Sequence, residues 1–222
     1  MRALIFDVFG TCVDWRTSIQ REAAKYGLPP EFADAWRAQY QPQLETVRDG
    51  SRPWVNLDVL HRIGLDVVLR EMAVNLPELD RIELTKAWHR LRPWPDVAGG
   101  LTDLKAGHII APCSNGHIAQ SVNLAKHAGL PWDAILGAEI AHAYKPDPAV
   151  YLASVHALGL EPGDVCMVAA HNGDLLAAQA VGLRTAFVPR PAEHGPGQTT
   201  DLAPEGDYDV VASDFWQLAD RF

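Results

Sequence analysis

The chain has 222 residues, of which 48% are hydrophobic and 21% charged, with a formal net charge of -9. That length fits one sizeable domain, or a core carrying a smaller insertion. The acidic balance without a basic patch excludes a phosphate-backbone partner, and no segment approaches the roughly 18–20 apolar residues of a membrane span.

The N-terminal MRALIFDVFG reads as a first strand, reaching an aspartate too soon for a signal peptide. A cytoplasmic protein is therefore expected. Cys12, Cys113 and Cys166 are far apart and set in apolar runs. Buried reduced thiols are expected, not a disulfide framework or a CxxC metal site.

In chain order, the first short apolar run is Ala3 to Phe6. Later runs are His108 to Cys113, Ala134 to Gly137, Val165 to Ala169, Thr185 to Val188 and Asp209 to Val211. Each is brief and almost continuously hydrophobic, as strands buried on both faces are. Helical patterns such as His117 to His127 and Pro148 to Leu158 separate them, which predicts a parallel sheet with helices on both faces. Between the first two runs lie roughly 90 residues with no strand signal. Helices are expected there over Thr17–Tyr26, Glu31–Arg48, Leu57–Leu76 and Glu83–Leu91. Pro29-Pro30, Gly50 to Pro53 and Pro93-Trp94-Pro95 punctuate them. A helical insertion at this point predicts a lid over the strand ends, where open α/β sheets bind ligands. Expected boundaries are 1–14 with 95–222 for the core and 15–94 for the cap. Ala192 to Pro204, rich in Gly, Pro and Thr, reads as a loop.

Four strand ends carry polar residues. Asp7-Val8-Phe9-Gly10-Thr11 places a carboxylate and a Gly–Thr turn after the first strand. Alone, that aspartate also reads as a cap or turn former. Cys113-Ser114-Asn115-Gly116 follows the second strand, where Ser and Asn also suit a helix cap. In Tyr144-Lys145-Pro146-Asp147-Pro148, Asp147 is the expected N-cap with Pro148 at the first helical position. Ala169-Ala170-His171-Asn172-Gly173-Asp174 closes another strand and opens a helix. The expected topology brings these ends to one edge, so an Asp, a Ser–Asn pair, a Lys and a second Asp converge under the lid.

In the order and spacing of Asp7 to Thr11, Ser114, Lys145 and Asp174, the chain resembles the haloacid dehalogenase superfamily over essentially its whole length. The resemblance implies a Rossmann-like parallel sheet core with a helical cap inserted after the first strand. It also implies in-line attack by Asp7. Most of that superfamily are phosphatases with a second aspartate two positions after the nucleophile as general acid. Here that position is Phe9, and Ala178 stands where a second acid of a GDxxxD motif would fall. Both features point away from Mg²⁺-dependent phosphoryl transfer, which remains the alternative reading.

The Asp-x-Phe-Gly-Thr stretch looks like the L-2-haloacid dehalogenase branch. That likeness implies hydrolysis of short 2-haloacids to 2-hydroxy acids through an Asp7 ester, with Lys145 and Asp174 as catalytic partners. It implies halide contacts from Arg37 and Asn115, and support from Tyr151. Backbone amides from Val8 to Thr11 and the Ser114 hydroxyl are expected to hold the substrate carboxylate. Phe9, Tyr40 and Trp54 are candidates for the apolar wall, with cap core an equal reading for the last two. The Ala169-Ala170-His171 form and the Arg190 to Gln198 stretch are similar to a subgroup acting on haloacetates, fluoroacetate among them. They leave the preferred halogen open. His171 is read either as support for the halide or hydrolytic water, or as a turn histidine satisfied by backbone. No metal or cofactor is expected. The expected partners are a small haloacid and water, with no nucleic acid and no membrane. Since dimers are common among such proteins, a homodimer is also expected.

Overall fold

The computed structural model describes residues 1–222. A six-stranded parallel sheet forms its centre, in the order β5 (Leu136–Gly137), β4 (Ile109–Ser114), β1 (Ala3–Phe6), β6 (Val165–Ala169), β7 (Arg184–Phe187) and β8 (Val210–Val211). β1 lies between β4 and β6, with Phe6 level with Pro112 on one side and Val168 on the other. Asp7 therefore leaves the sheet at its middle, on the carboxyl edge where such sheets bind ligands.

The strand side chains alternate as a pleated strand requires. Leu4 and Phe6 join one apolar cluster, and Ala3 and Ile5 join the cluster on the opposite face. The first cluster runs without a break from the sheet into the inserted helices, through Trp15, Trp36 and Trp88. The free cysteines Cys12, Cys113 and Cys166 are all buried. No helix is long and apolar enough to cross a membrane.

The segment after β1 departs from the sequence expectation in detail. Two short strands, β2 (Val13–Asp14) and β3 (Arg92–Pro93), pair antiparallel and bracket it. No strand was expected there, because two-residue pairs leave no periodicity to read. Between them, α1 (Trp15–Ala24) starts two residues early because the Asp14 carboxylate accepts from the Thr17 amide at 2.9 Å. The single helix expected over 31–48 is two, α2 (Glu31–Ala38) and α3 (Tyr40–Arg48). Pro42 has no N–H to return to Ala38, so it fits only the first turn of a new helix. α4 (Leu57–Glu71) stops short of Leu76, where Ala73 turns to φ 54°. α5 (Glu78–Thr85) starts after Pro77 and tightens into a 3₁₀ turn over Lys86–His89.

In the remainder, α6 (Val97–Lys105), α7 (Ile118–Ala128), α8 (Ala138–Ala141), α9 (Pro148–Ala157), α10 (Asn172–Ala180) and α11 (Phe215–Ala219) connect and cover the strands. Asp147 caps α9 by accepting from the Ala149 amide at 2.8 Å, with Pro148 first in the helix.

Candidate active site

The carboxyl edge of β1, β4 and β6 opens into a cleft of about 560 Å³. Asp7, Phe9, Asn115, Lys145, His171 and Asp174 line it from the core. Arg37, Tyr40, Gln41 and Arg48 line it from α2 and α3, and His194 and Asp201 from the late loop.

At its floor, Lys145 Nζ donates to Asp7 Oδ1 at 2.9 Å and to Asp174 Oδ2 at 2.5 Å. The lysine and both carboxylates are nearly buried, with side-chain exposures of 8–10%. The Lys145–Pro146 peptide is cis, and the Lys145 amide donates to Asn115 Oδ1 at 2.8 Å. Asn115 Nδ2 donates to Tyr40 Oη at 2.9 Å, so this asparagine links the lysine loop to α3. Tyr151 Oη donates to Asp174 Oδ1 at 2.5 Å, which fixes the second carboxylate from α9.

The other Asp7 oxygen has its own partners. Thr11 Oγ1 donates to Asp7 Oδ2 at 2.7 Å and accepts from the Ala170 amide at 2.9 Å. His171 Nδ1 lies 3.2 Å from the same oxygen, and His171 Nε2 lies 2.8 Å from Glu193 Oε2. His171 is thus bound by two carboxylates, not by turn backbone.

Burial opposes charge on all of these groups, and the neighbours decide which stay charged. For Asp7, burial raises the pKa, but Lys145, His171 and Thr11 together hold it well below the usual carboxylate range. Burial disfavours the Lys145 cation, yet Asp174 and Asp7 keep it protonated well beyond the ordinary lysine value. Burial likewise opposes the His171 cation, while Glu193 and Asp7 raise its pKa well above the usual one. Glu193 is pulled down against its own burial by His171. Asp174 is raised, first by burial and then by the charge of Asp7, with Lys145 opposing. Asp7 is therefore a desolvated carboxylate that remains ionised, and a carboxylate in that condition is a competent nucleophile.

Among the cations lining the cleft, Arg37 is the one without a carboxylate partner. Its Cζ sits 4.1 Å from the centre of the Tyr40 ring and 5.3 Å from that of Trp15, and its buried Nη1 has no hydrogen-bond partner. An unsatisfied buried donor on a cation lining the nucleophile's cleft is a place for an anion. The Phe9 ring lines the cleft beside it and is backed by aromatic side chains. Phe9 meets Trp88 edge-on with ring centres 6.0 Å apart, and His61 stacks on Trp88 at 4.3 Å.

Two expected substrate contacts, Trp54 and the Ser114 hydroxyl, sit differently. Trp54 does not line the cleft; it stacks on His142 with centroids 4.8 Å apart. Ser114 is buried, its hydroxyl accepting from the Gly116 amide at 3.1 Å, so it shapes the turn carrying Asn115. The Thr11 hydroxyl is fully occupied between Asp7 and Ala170 and positions the nucleophile. The Val8 side chain belongs to the core, and its amide, the group expected to meet the substrate, makes no backbone hydrogen bond.

Sequence reasoning missed Glu193 and Arg48. Glu193 is buried, and Trp15 Nε1 donates to its Oε1 at 2.9 Å. A side chain at Gly10 would collide with it, since a Cβ there would lie 2.2 Å from Oε1. In the same stretch, Arg190 makes a two-pronged pair with Asp96 at 2.9 and 2.8 Å and donates Nε to Thr11 O. The Arg190 to Gln198 stretch thus braces the nucleophile turn. Arg48 donates to the Lys145 carbonyl and, at 3.1 Å, to Gln41. The one available signal for Glu193 was a lone acid within that Pro/Gly-rich stretch.

An ionised, desolvated aspartate on the central strand of a parallel sheet, paired with a lysine from a later loop, defines a hydrolase of the covalent-carboxylate type. The Mg²⁺ arrangement of phosphatases does not fit these residues. An ammonium fills the space between Asp7 and Asp174, His171 takes the second Asp7 oxygen, and the fourth residue after Asp174 is the buried, apolar Ala178. The chain belongs to the haloacid dehalogenase-like hydrolase family, whose sequence profile matches residues 1–182. It is 30% identical over 193 residues to (S)-2-haloacid dehalogenase 4A of Burkholderia cepacia, covering 86% of this chain and 84% of that one. It is 29% identical over 207 residues to the (S)-2-haloacid dehalogenase of Pseudomonas sp. strain YL, covering 90% and 89%. Among solved structures, the defluorinating L-2-haloacid dehalogenase Rha0230 superposes with a TM-score of 0.97 at 50% identity, covering 100% of this chain and 94% of that chain.

Proposed function

We propose that this protein is a 2-haloacid dehalogenase that hydrolyses short haloacids, haloacetates and L-2-halopropionates among them, to 2-hydroxy acids through an ester on Asp7. The observation that carries the reading is the nucleophile's setting: a buried carboxylate kept ionised by Lys145 and His171, in a cleft also lined by Arg37 with its free donor. The similarity to a defluorinating enzyme extends the candidate substrates to fluoroacetate. Helices of 15–94 act as the cap over a core of 1–14 and 95–222, in the cytoplasm.

Oδ1 of Asp7, with one donor, attacks the carbon bearing halogen from behind. The halide departs toward Arg37 and Asn115, against the Phe9 and Tyr40 rings. The amides of Val8 and Phe9, which make no backbone hydrogen bond inside the protein, hold the substrate carboxylate. Oδ2 becomes the carbonyl oxygen of the ester. Water then adds to the Asp7 carbonyl carbon, and the developing oxyanion is met by the Thr11 hydroxyl and the His171 N–H. Each such donor is worth about 3 kcal/mol of barrier. Asp174, raised by burial and held by Tyr151 and Lys145, orients the water and takes its proton. Covalent catalysis thus replaces one slow displacement with two faster steps.

Halide release from chloroacetate and L-2-chloropropionate tests the reading. The wild type releases halide in EDTA, and Asp7→Asn releases none. A protein inert toward every short 2-haloacid, yet active on a phosphate ester with Mg²⁺, would overturn it.

A further inference from the structure

A second cluster of ligating side chains lies outside the catalytic cleft. Asp58 is in the first turn of α4, His89 ends the 3₁₀ turn, and His117 precedes α7, two residues beyond Asn115. Asp58 Oδ1 lies 2.9 Å from His89 Nε2, and Asp58 Oδ2 lies 3.6 Å from His117 Nε2. One ligand atom from each of the three residues falls within 4.8 Å of the others. Tetrahedral donors at metal–ligand distances of about 2.0–2.1 Å stand about 3.4 Å apart, so small adjustments would bring all three onto one ion.

The surrounding bonds favour ligation. His117 is 5% exposed, yet its Nδ1 has no partner and its Nε2 is too far from Asp58 for a hydrogen bond. A buried imidazole nitrogen without a partner is unusual, and Nε2, which makes no hydrogen bond, is left free to take a ligand. His89 Nδ1 lies 3.0 Å from the Asn123 side-chain amide. With that amide turned so that its oxygen accepts from Nδ1–H, the Nε2 lone pair of His89 faces Asp58. That is how outer partners orient ligating histidines. The Asp58 side chain is 28% exposed while the two histidines are 7% and 6% exposed, so solvent reaches the open fourth position.

We propose that Asp58, His89 and His117 form a site for a divalent transition metal of the zinc class, with water as the fourth ligand. One carboxylate and two imidazoles suit Zn²⁺, Co²⁺ and Ni²⁺ and are poor ligands for Mg²⁺. Two ligands come from the helices inserted after β1 and the third from the turn that carries Asn115. Occupancy therefore ties those helices to the sheet beside the halide contact. The reaction itself does not pass through the ion.

The test is titration of the intact, EDTA-treated protein with Co²⁺, followed by Zn²⁺ competition. The wild type is expected to take up one equivalent with the visible absorption of tetrahedral Co²⁺, and Zn²⁺ is expected to displace it. His117→Ala and Asp58→Asn should each bind more than about a hundredfold more weakly, while the exposed control His127→Ala binds as the wild type does. Zn²⁺ should raise the melting temperature of the wild type by several degrees and leave His117→Ala unmoved. A folded wild type that releases halide but takes up no stoichiometric Co²⁺ would overturn the site and leave the dehalogenase reading intact. So would uptake that both substitutions leave unchanged.

Discussion

Glu193→Gln removes one charge from behind the nucleophile while keeping the volume and one of the two acceptor oxygens. The wild-type carboxylate sits 2.8 Å from His171 Nε2 and also accepts from Trp15. At that separation and an effective dielectric of about 20, the lost attraction is about 6 kcal/mol. Relaxation around the neutral amide recovers part of it, but what remains is enough to bring His171's titration down from the alkaline side. In the wild type, Glu193 and Asp7 raise the His171 pKa well above its usual value. The cation is thus present through neutral pH and is lost only as pH rises through the raised value. In the variant it is lost earlier. The expected result is a flat rate of ester hydrolysis, read as 2-hydroxy acid formation in a single turnover, across neutral pH in the wild type. In Glu193→Gln a falling limb enters from the alkaline side, approaching one decade per pH unit. The stability contributed by this pair has the same sign: full below the ordinary imidazole pKa, lost at high pH. The variant's melting deficit therefore shrinks as pH rises. Imidazole ¹⁵N spectra follow the proton directly. A variant with a flat profile, and with His171 still an imidazolium at high pH, would refute the reasoning.

Two further substitutions separate the remaining roles. Thr11→Val keeps the shape but deletes the donor to Asp7 Oδ2, so hydrolysis of the ester should slow by about 10²-fold or more, and rapid quenching should show ester accumulating. Arg37→Lys retains a charge but loses the planar group lying over Tyr40 and the free Nη1. The alkylation step should then fall, with a larger loss for fluoroacetate than for chloroacetate, because fluoride depends more on its donors.

Much of this architecture was readable because its causes are local. Ala3–Phe6 and Val165–Ala169 were predicted to the residue, since a short continuous apolar run leaves few alternatives to a buried strand. Asp7, Lys145 and Asp174 follow from strand ends brought to one edge by a parallel topology. Other features depend on partners remote in sequence. Glu193 meets Trp15 across 178 positions, and nothing around either residue signals the other. The break at Gln39 was missed because the hydrophobic pattern continues through it, although Pro42 marked it. Trp54 was ambiguous between cleft and cap core, and its stacking on His142 puts it outside the cleft.

The central claim is that Asp7 itself, not water, attacks the substrate carbon. A single turnover in H₂¹⁸O with enzyme in excess tests it most directly. If the ester forms and water adds to its carbonyl, the first 2-hydroxy acid carries unlabelled oxygen from Asp7, and ¹⁸O appears in the peptide containing Asp7. Label in the first product, with an unlabelled Asp7 peptide, would mean direct hydrolysis and would contradict the account.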